Sequence, residues 1–320
     1  MLPGTDIGEF EPGFIKDEYD SVIDAMGIDA EEDYLTVVRT GRPRLSRQQR
    51  RRLWPTFLEF NRLLRKKGLL TFEGTVHQAR MIVENGGFST YRHVLVDELQ
   101  DFSLEGLRLI AALSQQTDSP CNPLFVVGDG HQRINRKTPI PLSRAGINVV
   151  GRSRRLKINY RTSEQIRQWA HSLLRGMDID DLDGGKADTT GDRSVFKGPE
   201  PSAKKVDSIE EAGELIAAWA DELIKKEGIG SHEICVTPVH DAVRTALAAR
   251  EIGYLELQAR RVDPGKAEPG VRLGSMRRIK GLEFKAVAML VGSSPDGAKR
   301  LERYVAATRA RQWLLIVEVP

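Results

Sequence analysis

Apolar positions recur along this chain with two periods, and the alternation between them lays out its elements. Residues 17–28 and 46–67 show helical spacing, with Leu53, Phe57, Phe60 and Leu64 on one face of the second stretch, and residues 72–85 predict another helix. His93 to Val96 predicts a short buried strand. Ser103 can cap a helix whose face is Leu104, Leu107, Ile110 and Ala111, and Leu124 to Val127 predicts the next strand. A strand–helix–strand unit of this length predicts a parallel sheet. A second alternating region follows. Leu156 to Tyr160 predicts a strand, and Thr162 with Gln165 predicts a capping box on a helix reaching about Arg175. Residues 176–205, rich in Gly, Asp and Pro, predict loop. Helices over 209–226, 240–251 and 300–310 then alternate with strands over 233–237, 271–275, 286–291 and 313–319. There is no internal repeat. The expectation is an α/β fold in two lobes with a boundary near residue 150.

Composition sharpens this picture. The 320 residues are 40% hydrophobic and 29% charged, which suits packed domains rather than wholesale disorder. The longest apolar run, Ala286 to Val291, is far too short to span a membrane. The opening MLPGTDIGEF has neither the basic start nor the apolar stretch of a signal peptide. Cys121 and Cys235 stand far apart, and the six histidines do not cluster with them, which argues against a disulfide framework and a zinc site. A cytoplasmic location is expected. The net charge of +3 is unevenly spread. Residues 1–33 include Asp17, Glu18, Asp20, Glu31, Glu32 and Asp33 against the single base Lys16. From Arg39 to Lys67 eleven basic residues face only Glu59. Such a block suits a phosphate backbone or, equally, a solvated helix face. Arg50, Arg51 and Arg52 are its densest run and the candidate DNA contacts.

Five short stretches carry the candidate chemistry. Asp97 and Glu98 follow the apolar run Val94–Val96, at the carboxyl end of a strand, where ligands bind in open α/β sheets. An Asp there can hold Mg²⁺, and a neighbouring Glu can orient or deprotonate a water. Gly128, Asp129 and Gln132 follow the next strand, where a glutamine could sense a terminal phosphate. Asn159-Tyr160-Arg161-Thr162 stands between a strand and a helix start. Lys280-Gly281-Leu282-Glu283-Phe284 and Tyr304 to Ala310 complete the set.

Taken in order, DELQD, VGDGHQ, NYRT, KGLEF and VAATRA resemble motifs II to VI of the UvrD/Rep group of superfamily 1 DNA helicases, over about residues 69–320. The resemblance implies two RecA-like lobes of the P-loop NTPase type. Residues 1–68 would be a remnant of a helical accessory insert, 69–150 a partial first lobe, and 151–320 the second lobe with a reduced insert. It implies ATP and Mg²⁺ as cofactors, and movement 3′ to 5′ along single-stranded or partly duplex DNA. Asp97 would be the Mg²⁺ ligand and Glu98 the catalytic carboxylate. Gln132 would link the γ-phosphate to the DNA side, with Gly128 and Asp129 beside the nucleotide. Tyr160 would stack on adenine, Glu283 would contact the ribose, and Arg161 and Arg309 would be arginine fingers.

The sequence departs from that pattern in one decisive place. Neither Gly-Lys pair, Gly185-Lys186 before Ala187 nor Gly265-Lys266 before Ala267, is followed by Ser or Thr, so no phosphate-binding loop of the GxxxxGK[ST] form is present. Asn135 and Arg277 also replace the usual tyrosine and histidine of motifs III and V. Two functions remain in view. One is an ATP-dependent helicase present as a fragment, through gene splitting, an internal start or truncation, with a separately encoded N-terminal segment carrying the loop as a candidate partner. The other is a pseudo-helicase that binds DNA or a partner without turnover.

Overall fold

The structure is a computed structural model that describes residues 10–39, 42–88, 90–114, 123–134, 140–182, 185–187, 191–259, 261–265, 267–292 and 297–320. Cys121, Asn135 and Lys266 lie outside these. The chain is α/β, with helices and parallel sheets, and divides into two compact units: residues 1–153 with 180–186, and residues 154–179 with 187–320.

The first unit is mainly helical. α1 (Pro12–Glu18) runs into a wider, π-type turn over Tyr19–Asp24 that carries Tyr19, Val22 and Ile23 into the core, so the helix expected over 17–28 starts earlier and changes its winding. A short α2 (Glu31–Thr36), unforeseen in the acidic run, buries Tyr34. α3 (Arg47–Lys66) opens on a capping box in which Ser46 and Gln49 satisfy each other's backbone N–H groups. Its Leu53, Trp54 and Phe57 are buried, whereas Phe60 stays partly exposed with its ring edge-on to Tyr19. α4 (Phe72–Glu84) and α5 (Leu104–Leu113) pack together, and Ser103 caps α5 as its spacing predicts. β1 (Val94–Val96) and β2 (Leu124–Val126) pair in parallel, Val94 against Leu124 and Val96 against Val126. One face of this pair meets the core through Val94, Val96, Leu124 and Val126. On the other face Leu95 and Phe125 are 77% and 62% exposed.

The second unit is built on a six-stranded parallel sheet in the order β5-β10-β9-β6-β8-β7. Its strands are β5 (Ser202–Lys205), β6 (Ile234–Thr237), β7 (Tyr254–Glu256), β8 (Val271–Leu273), β9 (Phe284–Gly292) and β10 (Ala310–Val319). The inner strands β6, β8 and β9 are almost wholly buried, so β6 and β9 read as largely apolar runs rather than alternation, whereas β8 buries Arg272 between Val271 and Leu273. α7 (Ile209–Lys226) and α8 (Asp241–Ala249) cover the sheet and approach closely at Gly213, where a Cβ would come within 2.6 Å of the Ala242 carbonyl oxygen. α6 (Glu164–Leu173) and α9 (Gly297–Ala307) pack on each other and on β10. The structure corrects three expectations here. The N-cap of α6 is Ser163, not Thr162, because Gln165 is spent on the Gly198 N–H instead of closing a box. Leu156–Tyr160 contributes only β3 (Ile158–Asn159), paired in parallel with β4 (Arg193–Ser194). The supposed loop 176–205 thus contains both β4 and the edge strand β5.

Candidate functional site

In the first unit the chemistry collects at the carboxyl ends of β1 and β2. The ladder continues past the strands, with Val127 N donating to Val96 O and Leu99 N to Val127 O. Glu98 turns the chain in the left-handed region at φ 53, a conformation costing about 1–2 kcal/mol for a residue with a Cβ. Its N–H donates to Asp97 Oδ1 at 2.8 Å, and the Asp97 side chain remains exposed. The buried Gln100 then bridges the two strand ends. Its Nε2 donates to Glu98 Oε2, and its Oε1 accepts from Asp129 N at 2.9 Å. Gly128 must be a glycine, since a Cβ would lie 2.8–2.9 Å from Leu182 Cδ1, Gln100 Oε1 and Leu99 Cβ.

Asp129 organises the turn that follows. Its carboxylate caps Gly130–Gln132, accepting from His131 N and from Gln132 Nε2, both at 2.9 Å, and it lies 2.8 Å from His131 Nδ1. Burial pushes the Asp129 acid up, but the His131 and Gln132 contacts outweigh it and hold the carboxyl below its ordinary range. Asp97, Glu98, Gly128, Asp129 and Gln132 therefore share one neighbourhood, as their positions after two strands imply. Gln100 was missed by the sequence reading, because nothing in DELQD distinguishes a buried bridging amide from a solvated one. Among the described residues no group of three or more His, Cys, Asp or Glu side chains could hold a metal by itself. Asp97 fits the one-carboxylate role that Mg²⁺ takes when phosphates and water supply its other ligands.

The second unit gathers its candidates at the amino ends of β9 and β10. Asn159 Oδ1 accepts from Arg161 N and Thr162 N at 2.8 and 3.1 Å, and Ser163 N donates to Arg311 O, which pins the NYRT turn beside β10. Arg161 Nε meets Glu283 Oε1 at 2.6 Å, both side chains being over 40% exposed. Tyr160 presents its ring to solvent, 70% exposed. Arg309 behaves differently. It is buried, with Nε on Val305 O at 3.0 Å and Nη2 on Thr308 Oγ1 at 3.2 Å, at the end of its own helix. Phe284 N donates to Arg309 O, so Glu283 and Arg309 precede adjacent, directly bonded strands.

The basic block is partly turned inward. Glu18 is fully buried and takes a bidentate contact from Arg39 and a bond from Arg42, which also pairs with Asp17. Arg50 is half-buried. Its Nη1 donates to Tyr34 O at 2.6 Å and Val37 O at 3.0 Å, and desolvation lowers its pKa. Arg51 and Arg52 are exposed on α3.

Three comparisons with known proteins found similarities. Residues 31–136 match the family described as the UvrD/REP helicase N-terminal domain. That stretch contains Arg50, Arg51, Arg52, Asp97, Glu98, Gly128, Asp129 and Gln132, whereas Tyr160, Arg161, Glu283 and Arg309 lie beyond it. DNA helicase IV of Escherichia coli K12 is 43% identical over 74 residues, 23% of this chain and 10% of that protein. The C-terminal domain of a possible DNA helicase from Lactobacillus plantarum WCFS1 aligns in structure at 20% identity, over 50% of this chain and 88% of that one, with a TM-score of 0.37. Residues 31–136 are thus similar in sequence to the N-terminal domain of UvrD/Rep-type helicases.

Proposed function

We propose that this chain supplies carboxylate-bearing and arginine-bearing parts of an ATP-driven DNA translocase or helicase of the UvrD/Rep type, acting in the cytoplasm on single-stranded or partly duplex DNA in the 3′ to 5′ direction. The observation that carries this reading is the Gln100 bridge, which ties Glu98 to the Asp129–Gln132 turn at the ends of two parallel strands. That geometry would join an acid placed to act on water to an amide placed to meet a terminal phosphate. Asp97 would hold Mg²⁺, whose charge lowers the cost of phosphoryl transfer. Glu98, oriented by Gln100, would accept the proton of the attacking water. Gln132 would leave Asp129 for the γ-phosphate and so relay its presence or loss. The exposed Tyr160 ring offers a stacking face for adenine, and Glu283 a ribose partner. Arg161 and Arg309 would stabilise transition-state charge, Arg161 by exchanging its Glu283 contact for phosphate and Arg309 after release from its helix end. On this reading 69–150 and 151–320 act as RecA-like lobes, and 1–68 as an accessory segment.

This sequence holds no Gly-Lys-Ser/Thr, so the phosphate cradle would come from a segment outside it, on the same or another polypeptide. The same fact favours a second reading, a DNA- or partner-binding module without turnover. The deciding experiment is an ATPase assay with single-stranded DNA, on the chain alone and with a segment supplying a phosphate-loop strand and helix. We expect negligible turnover alone, turnover near one per second in the assembly by order of magnitude, and its loss in Glu98→Gln. Arg161→Ala should lower kcat far more than nucleotide affinity. DNA binding with no turnover in a stable assembly would establish the second reading instead.

A further inference from the structure

The Gly128–Gln132 turn is also held from a distant part of the chain. Arg133, directly after Gln132, is nearly buried and sets both Nη atoms on the Asp180 carboxylate, Nη2 at 3.2 Å from Oδ2. Asp180 Oδ2 accepts in turn from Leu182 N at 3.1 Å. Leu182 takes the left-handed conformation at φ 69 and puts its side chain against Gly128, within a small cavity that it lines together with Leu99, Gln100 and Arg133. An antiparallel bridge between Asp180 and Lys186, with Gly185 N on Asp181 Oδ1 at 2.8 Å, closes the stretch on itself. Residues 180–186 belong to the first unit, while the chain on both sides of them belongs to the second.

Two features point to more than packing. Among the described residues only Glu98, Leu182 and Glu251 are non-glycines at positive φ; the first accepts from Gln100, and the second lines the same small cavity as Gln100. Such conformations persist where surroundings over-determine them, and they cluster at working sites. A nearly buried bidentate ion pair is a poor way to gain stability compared with apolar packing, but it fixes direction. We propose that Asp180 and Leu182 are positioning residues for the carboxylate site, which through Arg133 and Gln100 fix the Gly128–Gln132 turn against Glu98. The role rests on reading Asp97, Glu98 and Gln132 as nucleotide-handling groups, whereas the contacts themselves do not.

The test is the Gln100 side-chain amide, followed by NMR in the full chain labelled with ¹⁵N-glutamine and assigned by Gln100→Asn. Asp180→Asn and the milder Leu182→Ala should each shift this resonance and speed its solvent exchange about tenfold. The Gln165 and Gln168 amides of α6 should stay unchanged. Asp180→Glu should preserve the signal, and the exchanged pair Arg133→Asp with Asp180→Arg should restore it only in part, because an arginine at 180 cannot accept from Leu182 N. In the ATPase-competent assembly Asp180→Asn should lower kcat about tenfold with KM held within about twofold. A Gln100 amide indifferent to both variants, or all glutamine amides changing together, overturns the proposal. So does full turnover with a loosened Gln100. An assembly inactive even without substitution counts against the nucleotide reading alone, and the NMR arm then decides the positioning contacts.

Discussion

At the scale of single residues, the groups that carry the candidate chemistry are held by partners near and far along the chain. Asp97 and Glu98 could be set at a strand end because three apolar residues precede them, and the structure puts them there. What they touch depends on Gln100, and what holds Arg133 lies 47 residues away, a separation no local pattern encodes. The arginine run teaches the same lesson. Arg50, Arg51 and Arg52 are alike in sequence, yet the helical twist turns Arg50 toward the Tyr34 and Val37 carbonyls and the others toward water. Glu164 at the start of α6 gives a residue-scale prediction. Arg167 and, against burial, the Ser194 N–H and Gln168 hold its carboxyl down at about 2, from an ordinary 4.5. A depressed acid adds stability above its unfolded pKa and loses it as pH falls through the folded value, so this contribution is complete above about pH 5 and fades toward pH 2. Melting temperatures of the parent and Glu164→Gln should therefore differ most near neutrality and converge on acidification. A gap independent of pH would mean that the carboxylate charge contributes nothing.

At the scale of elements, strands buried on both faces were legible and edge strands were not. β6 and β9 are apolar apart from Thr237 at the end of the first and Lys285 near the start of the second, so their burial is largely written in their composition. β5 reads Ser-Ala-Lys-Lys, and only its pairing with β10, residue for residue from Ser202 to Lys205, makes it a strand. The short β7 escaped for a similar reason, being a three-residue edge. The π-type turn at Tyr19–Asp24 keeps helical apolar spacing while changing the hydrogen-bond step, which periodicity does not register. The β1–β2 pair is the exception that predicts behaviour. Parallel strands are ordinarily covered on both faces, yet Leu95 and Phe125 point to solvent. The chain alone should therefore self-associate through this face. Leu95→Lys with Phe125→Lys should reduce the apparent mass in light scattering while leaving helix content unchanged. A docked phosphate-loop segment should suppress association in the parent chain, because it would bury the same two side chains.

At the scale of the whole molecule, the α/β class followed from the alternation of periods, and the parallel character of the sheets from the length of their connections. Charge acts at this scale too. With Arg39 and Arg42 committed to Glu18 and Asp17, the positive field of the basic block rests on fewer residues than the sequence counts. Binding to single-stranded DNA should still weaken with salt, by about 0.7 log units per log unit of salt for each phosphate neutralised. Arg51→Glu with Arg52→Glu should reduce affinity for all sequences alike and flatten that slope, measured by fluorescence anisotropy. An unchanged slope would take α3 off the nucleic-acid path. The outer margin of the larger sheet governs encounters of another kind. β5 ends the sheet with Lys204 and Lys205 exposed, the latter 3.3 Å from Glu318 on β10. A bare margin of paired-ready backbone invites recruitment of a foreign strand, and ammonium groups set along it make that approach costly. Valine in place of Lys204 and Lys205 should leave the monomer's fold intact yet turn this border into a seam on which molecules polymerise, visible as thioflavin-positive fibrils on prolonged incubation. The two lysines thus act as a guard for the solution state of the chain, independent of any nucleotide or DNA.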